Sequence, residues 1–248
     1  MDAVDLTAIN TGTFIARHDV SAWAENYPLA AGLFRAHMRV TAGDPVIQYE
    51  WSTANGRILY TESPARGSVT FATNPAPNDM LIVGTTVVTF VASGATGLEV
   101  NIGVSLTATL TALLSFLSAS TDAQIELCSY ALSALTLNLA AKTPGVSGNS
   151  IALSCSTSGA TTAPMDGGAH FITLIGPLSE TEGFLGEYAY DCRLEYQATQ
   201  FIPLFGGTLT FTQGVTREPS DATILADTIP SAAYAATQPS LFNMLVYG

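Results

Sequence analysis

The chain has 248 residues, of which 48% are hydrophobic and 11% are charged, and it carries a formal net charge of −12. This composition is typical of a folded chain with a substantial core, because disordered segments are depleted in apolar residues. The eight Lys and Arg residues are too few for a phosphate-backbone binder, which needs clustered basic side chains, so no nucleic-acid partner is expected.

No export signal or membrane segment is predicted. The acidic residues 1–5 precede no apolar run of the kind that forms a signal peptide. No window approaches the roughly 18 uninterrupted apolar residues of a membrane span. Cys128, Cys155 and Cys192 are odd in number and widely spaced, which favours reduced, partly buried thiols over a disulfide framework.

Residues 34–40 alternate in the two-residue period of a β-strand with one buried face. Phe34, Ala36, Met38 and Val40 share the apolar face. The basic side chains fall on the other face, where a solvated histidine is expected; they are Arg35, His37 and Arg39.

Two further strands are predicted next in the chain, over residues 46–51 and 57–62. Gly43-Asp44-Pro45 predicts a turn before the first of them. Asn55-Gly56 predicts a type I′ hairpin between the two, because both central residues of that turn need a positive φ.

Residues 67–168 differ from both flanks, since they are rich in Thr, Ser, Ala and Gly and poor in charge before Asp166. One helix is predicted over residues 104–118, with Ser105 as its N-cap and Thr109 on its polar side. Its apolar stripe has the 3.6-residue period and consists of Leu106, Leu110, Leu113, Leu114 and Leu117. Strands are predicted on both sides of it, over residues 69–72, 80–83, 87–91, 123–130, 135–141 and 150–156. This segment is therefore predicted to be an inserted α+β domain with its helix on one sheet face.

The alternating pattern resumes after residue 168 with a strand over residues 171–175. Residues 186–196 then place Tyr188, Tyr190, Cys192, Leu194 and Tyr196 on one face. A last hairpin is predicted over residues 201–212, turning at Gly206-Gly207. We predict a mainly β host domain formed by residues 1–66 and 169–218, with about seven short strands in a β-sandwich.

Residues 219–248 are predicted to form an extended C-terminal docking arm. The chain ends in an apolar cluster with no evident partner in the same chain, and an exposed apolar cluster on an acidic protein indicates a binding partner. The predicted docking residues are Leu241, Phe242, Met244, Leu245, Val246 and Tyr247.

No catalytic, cofactor or metal site is predicted. Gly145-Val-Ser147-Gly-Asn149 lacks the second glycine of a nucleophile elbow. His18, His37 and His170 have no ligand at metal-binding spacing. The outward charged side chains of residues 187–195 are more typical of a solvated sheet face than of the two catalytic carboxylates of a glycosidase. The tyrosines of the same strand alternate with apolar residues, which favours a place in the sandwich core over a platform that stacks on sugars. An enzyme is therefore not expected, although a glycan hydrolase remains one alternative.

Two sets of residues resemble known families. Gly186-x-Tyr-x-Tyr-Asp191 with Gly207-Thr-Leu-Thr-Phe-Thr-x-Gly-Val-Thr-Arg217 resembles immunoglobulin-like domains of virion proteins in tailed bacteriophages and gene transfer agents, including the N-terminal domain type of baseplate upper proteins. The strand Phe34-Arg-Ala-x-Met-Arg39 fits the same pattern. The central segment is similar to inserts of phage tail and capsid proteins at Asn74, Pro75, Asp79, Gly84, Thr85, Thr143, Gly145, Gly148, Asn149, Ser150 and Ile151.

The resemblance implies a non-enzymatic structural component of a bacteriophage virion, made in the host cytoplasm. The tail tip or baseplate, the neck and a capsid decoration all remain open as its place. Its expected partners are other virion proteins and copies of itself. The alternative is a receptor- or glycan-binding module displayed on the particle, which would bind a ligand on the host surface through the loops of the inserted domain.

Overall fold

The computed structural model describes residues 2–196 and 200–214, which form a mainly β structure with several sheets. The strands of the N-terminal part are β1 (Asp2–Ala3), β2 (Leu6–Ile9), β3 (Phe14–Asp19), β4 (Leu33–Arg39), β5 (Tyr49–Ser52) and β6 (Ile58–Ser63). Those of the middle are β7 (Arg66–Thr70), β8 (Met80–Val83), β9 (Thr86–Val91), β10 (Glu99–Asn101), β11 (Cys128–Ser133), β12 (Thr136–Ala141), β13 (Leu153–Cys155) and β14 (Thr161–Asp166). The last are β15 (Ala169–Gly176), β16 (Gly186–Tyr196) and β17 (Gln200–Thr212).

One long helix and two single-turn helices complete the described part. They are α1 (Ser21–Ala24), α2 (Leu106–Ala119) and α3 (Leu178–Thr181). Short 3₁₀ turns lie at Leu29–Ala31, Ile125–Leu127 and Val146–Ser150. The prediction of α2 is confirmed, and the Ser105 side chain caps it by accepting a hydrogen bond from the backbone N–H of Ala108 at 3.2 Å.

The first core lies between two sheets made by the two ends of the chain. The large sheet has the order β17-β16-β4-β5, and both β1 and β2 pair in parallel with β17. The small sheet has the order β3-β15-β6. Buried side chains of both sheets meet in one cluster, for example Trp51 and Leu194 of the large sheet with Phe14 and Leu174 of the small one.

The second core is formed by the middle of the chain, from Ala65 to Met165. Two four-stranded sheets contribute to it, with the orders β10-β9-β8-β13 and β11-β12-β7-β14. The leucine stripe of α2 packs into the same cluster, and Leu110, Leu113 and Leu117 are buried there. The two cores share no buried residue.

Two predicted hairpins are wrong. Asn55-Gly56 lies in a turn, with Gly56 at a φ of +72°, but β5 pairs with β4 in the large sheet while β6 pairs with β15 in the small one. The turn therefore carries the chain from one sheet to the other. Gly206-Gly207 lies inside one continuous strand, β17. The glycine at 207 has a packing role instead, because a Cβ there would collide with the carbonyl of Val4 in the β1–β2 connection.

The predicted strand over residues 123–130 is also wrong in its first half. Asp122 Oδ1 accepts hydrogen bonds from the backbone N–H groups of Gln124 and Ile125 at 3.0 and 3.1 Å. These bonds favour the 3₁₀ turn at Ile125–Leu127, and the strand begins only at Cys128. Strands β1, β2 and β3 were not predicted, although Phe14 and Ala16 alternate with the exposed Ile15.

The three cysteines are free, as predicted. Cys128 and Cys192 are buried in the second and first cores, and Cys155 is half-buried. Burial raises the pKa of the Cys128 and Cys192 thiols, so neither is a ready nucleophile.

Candidate interaction surfaces

The outer face of the large sheet carries the charged side chains that the alternation placed there. Arg35 donates to Glu50 at 2.9 Å and to Glu195 at 2.8 Å. Arg39 donates to Asp191 at 2.8 Å. The outward side chains of β4 are basic, as predicted, but Arg35 and Arg39 each pair with a carboxylate on a neighbouring strand, so the charge of the whole face is mixed.

His37 lies at the centre of this charged face, and the prediction that it is solvated is wrong. The residue is only 6% exposed. The guanidinium of Arg39, which can only donate, lies 3.1 Å from His37 Nδ1, so Nδ1 accepts. A neutral ring then has its hydrogen on Nε2, which lies 3.3 Å from Glu50 Oε2. Burial, together with the Arg193 guanidinium, lowers the pKa of His37.

A cleft of about 650 Å³ adjoins this face. Its charged lining residues are already engaged within the protein: Arg39 is paired with Asp191, and Asp44 Oδ1 accepts from the backbone N–H of Val46 at 2.8 Å. Much of the remaining lining is small, namely Ala3, Ala42, Ala189, Gly206 and Gly207. A ligand in this cleft would therefore be recognised by the shape of the cleft and by its backbone groups rather than by free charged side chains.

The tyrosines of β16 belong to the first core, as predicted, rather than to a sugar-stacking platform. Tyr190 is buried, and its hydroxyl donates to the carbonyl of Val4 at 2.7 Å. The Tyr188 ring packs at about right angles to Phe211, with 5.9 Å between the ring centroids. Tyr196 packs edge-on against Tyr27. All three rings therefore point toward the first core and do not form an outward platform.

The outer face of the small sheet exposes apolar side chains on two of its three strands; we call it the small-sheet face. Ile15 on β3 is 66% exposed and Leu59 on β6 is 51% exposed. Between them, Ile175 and Thr173 of β15 are half-buried and lie in register with Ile15 and Leu59 respectively. At one end of the face, the guanidinium of Arg17 covers the ring of Phe171 at 3.6 Å.

The Ser147 region has no catalytic geometry. Ser147 lies in the 3₁₀ turn Val146–Ser150, and its carbonyl accepts from the Ser150 hydroxyl at 2.8 Å. The nearest histidine to this turn is His170, whose Nε2 faces the backbone N–H of Val146 at 3.4 Å rather than a serine hydroxyl. Turn formation therefore accounts for these residues better than nucleophilic catalysis.

The predicted docking residues Leu241, Phe242, Met244, Leu245, Val246 and Tyr247 lie outside the described residues. Within residues 2–196 and 200–214, no group of three or more His, Cys, Asp or Glu side chains is placed to hold a metal ion. None of the helices in this described part is long and apolar enough to cross a membrane.

The small-sheet face was missed from the sequence because β3 was not predicted. The alternation of Phe14 and Ala16 with Ile15 and Arg17 was the signal that could have found it.

Comparisons of the chain with protein-family models, with curated proteins and with solved structures gave no significant match.

Proposed function

We propose that this protein is a non-enzymatic structural component of a bacteriophage virion, held in the particle by protein–protein contacts. The proposal combines the resemblance of the sequence motifs with a surface that suits packing against protein. We further propose a two-unit organisation: a host unit around the first core, and an inserted unit around the second. The inserted unit is residues 64–168, which extends the predicted 67–168 because Ala65 belongs to the second core.

The host unit is best explained as an immunoglobulin-like β-sandwich. Strands β3, β15 and β6 then correspond to B, E and D, and β17, β16, β4 and β5 to G, F, C and C′. The inserted unit takes the place of the D–E turn in this arrangement. The Tyr188 hydroxyl donates to the carbonyl of Leu185 at 3.3 Å, which resembles the upstream bond of a tyrosine corner, but Tyr188 lies four residues before Cys192 rather than two. Another departure is that Cys192 on the F-equivalent strand is free.

The single observation that carries an assembly role is the small-sheet face, with Ile15 and Leu59 both more than half exposed. A contiguous apolar patch of a few hundred Å² on a folded monomer is often a functional contact site. The face spans three strands and the six residues of β3, a footprint of roughly 300 Å² from the usual strand spacings. A stable dimer needs about 800 Å² from each partner. We propose that a neighbouring copy of the chain covers this face, as one of several contacts made only in the particle.

Exchange of Ile15 and Leu59 for Asp tests this role. Particles produced with the double variant and purified on a density gradient should contain little or none of the chain, because charge would be buried at a contact. The matched control is Val87→Asp combined with Leu98→Asp, which places the same two charges on exposed apolar positions of the inserted unit. Circular dichroism and thermal melting of the isolated variants establish that both are folded.

Normal incorporation of the folded double variant would exclude the small-sheet face as the contact. Absence of the wild-type chain from purified particles would overturn the virion role itself. The two results are distinguishable because the second concerns a chain with an unaltered face.

A receptor- or glycan-binding module on the particle is the second candidate, and the cleft beside Arg39 and Asp191 is the observation that favours it. A glycan array probed with the isolated protein separates it from the first proposal. Saturable binding that is lost in Asp191→Ala would favour the module, whereas release of saccharide from the array would indicate the glycan hydrolase.

A further inference from the structure

Two chain connections join the units, and they run side by side. One passes from β6 to β7 and the other from β14 to β15. Their strands pair on both sides of the junction, with Ser63 opposite Ala169 and Arg66 opposite Asp166. A two-stranded ribbon of this kind is pliable by itself, because it lacks a third layer and contains Gly167-Gly168, with Gly167 at a φ of +78°.

A loop of the inserted unit contacts both connections. The backbone N–H of Gly145 donates to the carbonyl of Ser63 at 2.9 Å. The Asn149 side chain makes two bonds with the backbone of Gly168: Nδ2 donates to its carbonyl at 2.9 Å, and Oδ1 accepts from its N–H at 2.8 Å. This pair satisfies both polar groups of one residue in the ribbon.

The glycines of the loop and of the ribbon allow this close approach. A Cβ on Gly168 would collide with the carbonyl of Gly145. A Cβ on Gly145, whose φ is +96°, would lie 2.5 Å from Nε2 of His170. A Cβ on Gly148 would lie 2.8 Å from Cβ of Ala65, in the other connection. Any larger residue would push the loop off the ribbon.

His170, just after the ribbon, is held from the host side. Its Nδ1 lies 2.6 Å from the Tyr60 hydroxyl, which donates to Glu62 at 2.7 Å. Its backbone N–H donates to the Ser21 hydroxyl at 2.9 Å. The ring that faces Gly145 is therefore fixed to the small sheet and to α1, so the loop rests on a rigid part of the host unit.

We infer that residues 143–149 form a latch that fixes the orientation of the inserted unit on the host unit, with Asn149 as its central residue. This inference rests on the proposed two-unit organisation. It assigns a mechanical role to the motif of Thr143, Gly145, Gly148 and Asn149: the motif binds the two connections of its own chain rather than a ligand. Loss of the latch frees the ribbon to bend while both cores stay folded.

Asn149→Ala tests the latch on the isolated protein. Hydrogen exchange at the amide of Gly168, which donates to Asn149, is expected to accelerate about tenfold, the ratio that corresponds to one lost hydrogen bond of ordinary strength. Spin labels at Ala54→Cys and Ser93→Cys, exposed positions in the two units, report their separation in a Cys155→Ser background. The distribution of distances should be narrow with Asn149 and broad with Ala.

Asn138→Ala is the matched control, because Asn138 lies in β12 and makes one weak bond, to the carbonyl of Thr136 at 3.4 Å, inside the inserted unit. It should leave both readouts unchanged. If Asn149→Ala does not fold, Asn149→Asp carries the distance measurement alone, since it keeps the acceptor for the Gly168 N–H and loses only the donor to the Gly168 carbonyl. An unchanged distance distribution in the folded variant, together with an unchanged exchange rate where that variant is Asn149→Ala, would overturn the latch, whatever the role of the protein in a particle.

Discussion

Thr109, which is buried against the second core, and the exposed Asn74 are joined by a 2.6 Å hydrogen bond from the Thr109 hydroxyl to Asn74 Oδ1. The same hydroxyl oxygen accepts from the backbone N–H of Gly103 at 2.9 Å, and Asn74 Nδ2 donates to the carbonyl of Gly103 at 3.0 Å. One residue of α2 thus fixes the loops before and after the sheet of β8, β9 and β10. The sequence placed Thr109 on the polar side of the helix, and that placement is wrong because Thr109 is 0% exposed.

We therefore expect Thr109→Ala to destabilise the protein by about 1–3 kcal/mol, because the backbone N–H of Gly103 and the Asn74 amide lose a partner. On the polar side of the helix, where the sequence places Thr109, the same change would be neutral or slightly stabilising, because Ala is the better helix former. Chemical denaturation measures the free energy of unfolding, and Thr111→Ala, at an exposed position of the same helix, is the control. Equal midpoints for the two variants would exclude a structural role for the Thr109 hydroxyl.

Leu113→Ala should cost roughly 2–5 kcal/mol, since Leu113 is fully buried at the centre of the leucine stripe. The loss should appear as a lower melting temperature of the second core. Leu127→Ala, at an exposed leucine outside the helix, should change stability by only a few tenths of a kcal/mol. A Leu113 variant that melts with the wild type would mean that α2 does not pack into this core.

Replacement of the inserted unit should leave a folded host unit. The sequence predicts that a short Gly-Ser linker can replace residues 67–168. The register refines this design: Ser63 lies directly opposite Ala169 on β15, so a two-residue Asn-Gly turn can close β6 and β15 into a hairpin. The shortened chain should unfold cooperatively in urea. An insoluble product, or one without a cooperative transition, would contradict the two-unit organisation.

The sequence predicted well where one residue pattern decides the structure. The leucine stripe and Ser105 predicted α2, and the tyrosines of β16 predicted a buried face, because burial follows directly from helical or strand periodicity. The sequence-based prediction failed where the pairing of a strand depends on another strand that is distant in sequence. Asn55-Gly56 has the composition of a hairpin, yet β5 and β6 each find a longer partner in a different sheet.

The surface was predicted less well for the same reason. His37 alternates like a solvated residue, but it is buried, with Arg39 of its own strand and Glu50 of the neighbouring β5 in contact with its ring. The small-sheet face depends on β3, which pairs with β15 across more than 150 residues of sequence. No local pattern contains that pairing.

Acidification should destabilise the protein as histidines gain protons. Burial lowers the pKa of His37 below the ordinary value of 6.5, so between the two values the unfolded chain binds more protons than the folded one. Stability is therefore full above about pH 6.5 and falls as the pH drops below it. Arg39 and Arg193 face the ring and lower its pKa further, whereas Glu50 and Asp191, which also face it, oppose part of this effect.

Urea denaturation at pH 7.5 and at pH 5.5 measures this loss. His37→Gln should show a smaller loss of stability between the two pH values than the wild type. His18 titrates with the same sign, because burial lowers its pKa too, so some loss should remain. An identical pH dependence in the wild type and in His37→Gln would show that His37 does not titrate with unfolding.

Truncation after Ser220 is expected to leave the stability of the monomer nearly unchanged, since β17 and its pairing with β2 end at Thr212. It is expected to abolish incorporation into the particle, because it removes the proposed docking residues. Sedimentation of the truncated chain with its assembly partners measures this. A full-length chain with Leu241, Phe242 and Leu245 changed to Ser should behave like the truncation. Normal incorporation of either chain, or a large loss of monomer stability, would contradict the docking arm.

Electron cryomicroscopy of intact particles tests the virion role most directly. We predict density that both cores fit, repeated with the symmetry of the particle, in which neighbouring protein covers Ile15 and Leu59 of the small-sheet face. Particles whose protein density is fully accounted for without this chain would contradict the account.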